Sequence, residues 1–281
     1  MNSTLSSPQD NAGRDDHAES GRRSLNGQGP KPGTFAEAAR GDVQGGLDGE
    51  NFIVALAHEL RGPLAAINSA ASVLARLHAD GAASGSHMTS IIHRQVRQLG
   101  GLVDDLLDIG RLHHGKLRCE FTRVSLSETI STAVEMHRST IDKRQLTLEL
   151  DIDGHWVKGD PMRLVQIFSN LLDNATKFSL DGGHIHVAAR RIGSDRIAMS
   201  IRDEGVGIDA SQIAKVFDIY QQGHLPNSNA THGLGLGLTI VRGLVEQHGG
   251  TISVRSDGPG HGSEFIFTLR ACDPPEIHHA S

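Results

Sequence analysis

Large apolar residues recur at three- and four-residue spacing from Phe52 to Leu106, and past Arg118 that rhythm gives way to short alternating runs. A change of period in mid-chain restricts the fold to a helical part followed by a mixed one. Phe52, Ile53, Leu56, Leu60, Leu64, Ile67, Ala71 and Leu74 fall on one helix face, and Ile92, Val96, Leu99, Val103 and Leu106 form a second stripe after the polar break Asp80 to His87. The spacing predicts two amphipathic helices joined as a hairpin. A two-helix hairpin has little core of its own, so two copies about a two-fold axis, closing a four-helix bundle around both stripes, are expected. The other use of the stripes is packing onto the chain's own C-terminal half.

Residues 1 to 47 carry hardly any large apolar side chain and are read as a disordered tail. The net charge of −6 comes without a dense basic run, which argues against a nucleic-acid partner. Cys119 and Cys272 lack metal-ligand spacing and read as reduced thiols of a cytosolic protein. No apolar run reaches the ~18 residues of a membrane helix, so no membrane segment is expected and a cytoplasmic location is.

In the C-terminal half the candidate strands are Leu146–Leu150, His184–Arg190, Arg196–Ile201, Thr251–Arg255 and Glu264–Leu269. The candidate helices are Leu126–Asp142, Pro161–Phe178 and Leu238–His248. Asp160-Pro161 has the form of a helix start, a carboxylate cap before a proline. The strands fall into pairs with the look of antiparallel hairpins, as around Gly193-Ser194-Asp195. An α+β layer is therefore expected rather than a doubly wound parallel sheet.

Four segments carry chemistry. His58 lies about 160° around the helix from both Leu56 and Leu60, opposite the apolar stripe, with Glu59 beside it. Neutral imidazole is available near pH 7, and a carboxylate that takes its proton leaves the other ring nitrogen able to attack phosphorus. Gly62-Pro63, one turn on, weakens the helix by removing a hydrogen bond to the Glu59 carbonyl. No second histidine follows at metalloprotease spacing. On the helix from Pro161, Gln166, Asn170, Asn174 and Lys177 share a face, where amide oxygens suit Mg²⁺ and an ammonium suits phosphate. Asp203-Glu204-Gly205-Val206-Gly207 places a carboxylate at a strand end, able to accept from the exocyclic amine of adenine. Gly233-Leu234-Gly235-Leu236-Gly237-Leu238-Thr239 opens a helix with backbone amides free to face phosphate. It is neither a Walker loop nor a dinucleotide fingerprint. Alone, each segment is ordinary.

In this order the segments resemble the H-box, N-box and glycine boxes of sensor histidine kinases of two-component systems, from about Gly49 to Leu269. Gly62 is the one departure in the H-box. The resemblance implies a dimeric four-helix bundle formed by hairpins over residues 48–115, then an α+β two-layer sandwich of the GHKL (Bergerat) ATPase type over 118–272, with a short tail at 273–281. It implies His58 as phosphoacceptor with Glu59, and Asn174 as Mg²⁺ ligand supported by Asn170. It further implies Lys177 at phosphate, Asp203 with Gly205 and Gly207 at adenine, and Gly233, Gly235, Gly237 and Thr239 in the second glycine box. Phe217 and Tyr220 resemble the F-box, with Gln221 to His232 as a lid over ATP. The implied partners are a second copy of the chain and an aspartate on a separate response regulator. In relatives, the residue four positions after the histidine is usually threonine or asparagine and holds a hydrolytic water; with Gly62 there, weak phosphatase activity is expected. A GHKL-type ATPase or Ser/Thr kinase, and a non-catalytic phosphotransfer scaffold, are the rival readings.

Overall fold

A computed structural model describes residues 46–79, 85–152, 154–219 and 235–275. Helices α1 (Gly46–Ala79) and α2 (Ser86–His113) form the expected hairpin. Residues 1 to 45 of the expected tail and most of the polar break lie outside the described residues, while the tail's last two residues, Gly46 and Leu47, belong to α1. Helix α1 runs through Gly62-Pro63 without interruption. The stripe does not bury uniformly. Leu56, Leu60, Ile67, Leu99 and Leu106 are half-buried, whereas Leu64, Val96 and Val103 are exposed by 50%, 53% and 43%. The reason is geometric: one neighbouring helix covers only a narrow strip of an apolar face that is at least ~100° wide.

After the hairpin come β1 (Thr122–Ser125), α3 (Leu126–Lys143), β2 (Thr147–Asp151), β3 (Trp156–Gly159), α4 (Pro161–Phe178), β4 (His184–Ile192) and β5 (Arg196–Asp203). The short α5 (Ala210–Ile213), α6 (Gly237–Gln247), β6 (Ile252–Arg255) and β7 (Ser263–Cys272) complete the chain. The sheet runs β1-β3-β7-β5-β4-β2, with β6 also pairing β7. Strands β4 and β5 form the hairpin expected around Gly193-Ser194-Asp195, in register from Ile185↔Asp203 to Ile192↔Arg196. The expectation of antiparallel pairs fails at β2, which lies parallel to β4. A parallel neighbour needs a crossover, and the stretch between them, through α4, supplies one. Strands β1 and β3 and helix α5, four residues each, lack the apolar–polar alternation that marks the equally short β6 and so carry no sequence signal.

Burial alternates along β5 and β7, and the inward Ile197, Met199, Ile201, Phe265, Phe267 and Leu269 form one buried cluster with Ile130, Leu164, Phe168, Leu171, Ile240 and Leu244 of the helices. Helices therefore cover one face of the sheet, giving the two-layer α+β sandwich. Helix α4 starts as its sequence requires. Asp160 accepts from the backbone N–H of Met162 and Arg163 at 3.0 and 3.2 Å, with Pro161 in the first turn. The second Asp160 oxygen takes the Glu120 N–H at 2.9 Å, tying the interdomain segment to the same cap.

Candidate nucleotide site

Strand β5 delivers Asp203 to its end, where the side chain is only 3% exposed. Its carboxylate accepts from Ser263 Oγ at 2.6 Å and from the Gly205 N–H at 2.9 Å. Burial pushes the Asp203 carboxyl above its ordinary range, and the bonds from Ser263 and Gly205 oppose that rise. A carboxylate has about four lone-pair sites. Two bonds leave acceptor capacity for a ligand N–H.

The loop that follows is held from both sides. Val206 N–H donates to the Phe178 carbonyl at the end of α4 (3.0 Å), Gly260 N–H to Val206 (2.7 Å) and Gly262 N–H to Gly205 (3.1 Å). Glycine is required at two of these positions: a Cβ on Gly205 would sit 2.1 Å from the Phe178 carbonyl oxygen, and one on Gly207, at φ +72°, 2.1 Å from that of Gly258. Ser256 joins the two loops, its Oγ accepting from Ile208 N–H at 2.9 Å and donating to Gly262 at 2.6 Å. Ser256 and Ser263 escaped the sequence reading, although the run Gly258-Pro259-Gly260-His261-Gly262 signals a turn that closes on something.

Helix α4 supplies the polar face. Asn170, Asn174 and Lys177 are half-buried, Asn170 Nδ2 lies 3.5 Å from the Gly237 carbonyl, and Lys177 Nζ stands 5.2 Å from the centre of the Phe178 ring. Gln166 departs from the expected row. Its amide turns to the helical hairpin, donating to Asp108 Oδ2 at 2.9 Å. At the other end Arg144 caps the last carbonyls of α4, reaching Thr176 and Lys177 through Nη1 and Ser179 through Nη2 (2.8 Å), and pairs with Asp181 at 2.7 Å. That cap steadies the Phe178 carbonyl on which the first glycine loop rests.

Helix α6 begins at Gly237 and meets Asn170 there. Thr239 Oγ1 donates to the Phe217 carbonyl at 3.0 Å, and the Phe217 ring stands edge-on to Phe265 at 6.2 Å. Gly235 has φ +67°. The structure thus gathers α4, the loop of Gly205 and Gly207, and the start of α6 around the end of β5. Tyr220, Gly233 and the lid from Gln221 to His232 lie outside the described residues. So does the His58 side chain, whose helix turn belongs to α1, with Glu59 half-buried beside it.

A hairpin joined to this sandwich defines a two-module class, and two family models match accordingly. The "His Kinase A (phospho-acceptor) domain" covers residues 50–115, and the "Histidine kinase-, DNA gyrase B-, and HSP90-like ATPase" covers 159–272. Together they account for more than half of the chain. Similar curated proteins include the sensor-like histidine kinase SenX3 of Mycobacterium tuberculosis, 31% identical over 84% of this chain and 55% of its own length. The alginate biosynthesis sensor protein KinB of Pseudomonas aeruginosa is 30% identical over 78% of this chain and 36% of its own. Among solved structures, full-length ShkA in complex with AMPPNP shares 26% identity at a TM-score of 0.59, over 81% of this chain and 47% of that one. The chain belongs to the sensor histidine kinases of two-component signalling. It spans between about a third and just over half the length of these relatives. Among the described residues, no helix is long and apolar enough to cross a membrane.

Proposed function

We propose that this chain is an ATP-dependent protein histidine kinase that phosphorylates itself on His58 and passes the phosphoryl group to an aspartate of a separate response regulator. The observation that carries the reading is the buried Asp203 carboxylate between loops too tight for any side chain at Gly205 or Gly207, in a chain that also holds a phosphoacceptor hairpin. Adenine donates its exocyclic amine to Asp203; guanine, with a carbonyl there, is repelled. The AMPPNP bound to ShkA is consistent with such a ligand. Residues 48–115 form the phosphoacceptor domain and 118–272 the ATP-binding domain.

The amide oxygens on α4 fit Mg²⁺, a hard cation that keeps several waters, with Asn174 as its ligand and Asn170 beside it. The ion, when bound with ATP, neutralises phosphate charge. Lys177 contacts phosphate, and the backbone of Gly233, Gly235 and Gly237 at the start of α6 offers N–H donors. Thr239, bonded to Phe217, holds that residue against the helix, and Phe217 and Tyr220 make up the F-box. In transfer, a ring nitrogen of His58 attacks the γ-phosphorus, the N–P bond forms as the bond to the bridging oxygen breaks, and ADP leaves. Glu59 takes the proton from the other ring nitrogen.

The exposed Leu64, Val96 and Val103 support a homodimer, since a second hairpin would cover them. At Gly62 the position one turn after His58 is open space with no side chain to hold a water, which supports weak phosphatase activity toward the regulator. Incubation with γ-labelled ATP tests the reading. Acid-labile, base-stable label is expected on the wild type, none on His58→Gln with nucleotide affinity retained, and none on Asp203→Asn with affinity lost. Equal labelling of His58→Gln overturns the assignment, and rapid ADP-independent loss of label from a purified regulator overturns the phosphatase reading.

A further inference from the structure

Asp108 lies in the hairpin helix α2, yet its side chain is only 5% exposed and its hydrogen-bond partners belong to the other module. Oδ2 accepts from Arg163 Nη1 at 2.6 Å and from Gln166 Nε2 at 2.9 Å, and the same Arg163 nitrogen donates to Gln166 Oε1 at 2.7 Å. Arg111, one turn further along α2, stands 3.6 Å from the other carboxylate oxygen. Arg163 and Gln166 occupy the first turns of α4, the helix whose later turns present Asn170 and Asn174. One rigid helix therefore grips the hairpin at its start and faces the nucleotide loops further on.

Gly85, at the start of α2, lies against Leu74 of α1, so at 1.5 Å per residue Asp108 stands roughly 10 Å further from the hairpin turn than His58. Leu56, two residues before His58, packs against the buried cluster that runs from Leu117 to Leu269. Leu112, one turn beyond Asp108, packs onto Gly243 of α6. A contact needing only adhesion is served by such apolar residues. A buried carboxylate shared between a guanidinium and an amide is different, because a small displacement leaves charge unpaired in a dry site. It selects one pose.

We propose that Asp108, Arg163 and Gln166 are positioning residues that dock the ATP-binding module on the hairpin in the pose from which the phosphoryl group reaches His58. The inference rests on the kinase reading above. In it, Asp108 touches neither nucleotide nor histidine, and acts by fixing α4 against α2.

The full chain, Asp108→Asn, Arg163→Met and the double variant are compared for labelling rate at saturating ATP, KM for ATP and binding of a fluorescent ATP analogue. Each single variant is expected to lose at least tenfold in labelling rate, with KM and analogue affinity within twofold of wild type. The double variant should lose no more than the worse single one, because both changes remove the same contact. Retained analogue affinity shows that the ATP-binding module is folded. Variants that label at the wild-type rate or faster overturn the docking role, as does a loss that appears only as a raised KM. A wild type that carries no acid-labile label instead removes the kinase reading, and the docking role with it.

Discussion

The hairpin and the sandwich solve the same burial problem to different degrees. In the sandwich, Phe168, Phe267, Leu164, Ile167, Leu171, Leu172 and Met199 are wholly enclosed by their own chain. In the hairpin, among the described residues, the buried ones are Pro63, Ala70 and Asp108, and Leu64, Val96, Val103 and Leu107 face outward. The sandwich is a finished core. The hairpin is half of one, and part of its hold on the rest of the chain is ionic, Asp108 to Arg163.

The strongest way to break this contrast is to separate the parts. Residues 116–275 alone are expected to remain a folded monomer that binds an ATP analogue, because the buried members of the core cluster begin at Leu117 and the hairpin adds only partly buried side chains such as Leu56 and Leu112. In the full chain, Val96→Glu with Val103→Glu should yield monomers and abolish labelling. Each covered Val or Leu is worth about 1.5–3 kcal/mol, and a two-fold axis counts each one twice. Sedimentation and labelling measure both outcomes; a double variant that stays dimeric means these faces are not the seam.

A smaller effect comes from adding one methyl group to each part. Gly205→Ala forces a Cβ against the Phe178 carbonyl, where backbone on both sides has nowhere to move. A cost of about 1–3 kcal/mol in stability is expected, along with at least a tenfold loss of analogue affinity. Gly62→Ala meets nothing within 4 Å and sits inside α1. It should stabilise the hairpin by about 1 kcal/mol, read as a higher thermal midpoint. Equal tolerance at the two positions would erase the distinction between a free helix surface and a fitted loop.

How much of this was legible in the sequence differs in the same way. Helix α4 was readable to the residue, since its cap, its proline and its apolar period agree, and Asp203 and the glycines stood out by type and spacing. Strands β1 and β3 were not readable, because four residues such as Trp156–Gly159 have no period of their own and are strands only through β7 and each other. The parallel setting of β2 depends on the crossover through α4, which local pattern does not encode. Gln166 was misplaced for a related reason. Helical spacing puts it on the face of Asn170 and Asn174, but what that face meets changes along its length, and only the packed modules show that its first turns meet Asp108. Arg163, Ser256, Ser263 and Arg144 are polar residues whose roles lie in partners distant in sequence. No motif marks them.

The subtlest contrast is in how the two parts respond to pH. Asp105 of α2 is pushed up to about 6 by burial first, then by the charges of Asp108, Asp104 and Asp173. Its unfolded carboxyl titrates near 3.8, so the folded protein holds the proton more tightly and loses stability as pH rises from about 4 through 6. Asp105→Asn should remove that loss and raise stability at pH 7.5 by roughly 1–2 kcal/mol, the figure reduced for the screening felt by a half-buried group. In the sandwich, His248 behaves oppositely. Its Nε2 accepts the Asp160 N–H at 3.1 Å and its Nδ1 donates to the Leu244 carbonyl at 2.7 Å, a neutral tautomer held with the ring buried, and burial pushes its pKa down. Below about pH 6.5 the unfolded chain binds a proton that the folded one resists, so stability falls as pH falls. His248→Gln should lower stability at pH 7.5 and flatten the decline on the acid side. Urea midpoints from pH 3.5 to 8 test the pair: the Asp105 variant should gain on the wild type progressively from about pH 4 to 6 and hold that gain above, the His248 variant should close its deficit only below about 6.5, and parallel curves for either one would show that its group carries no differential protonation.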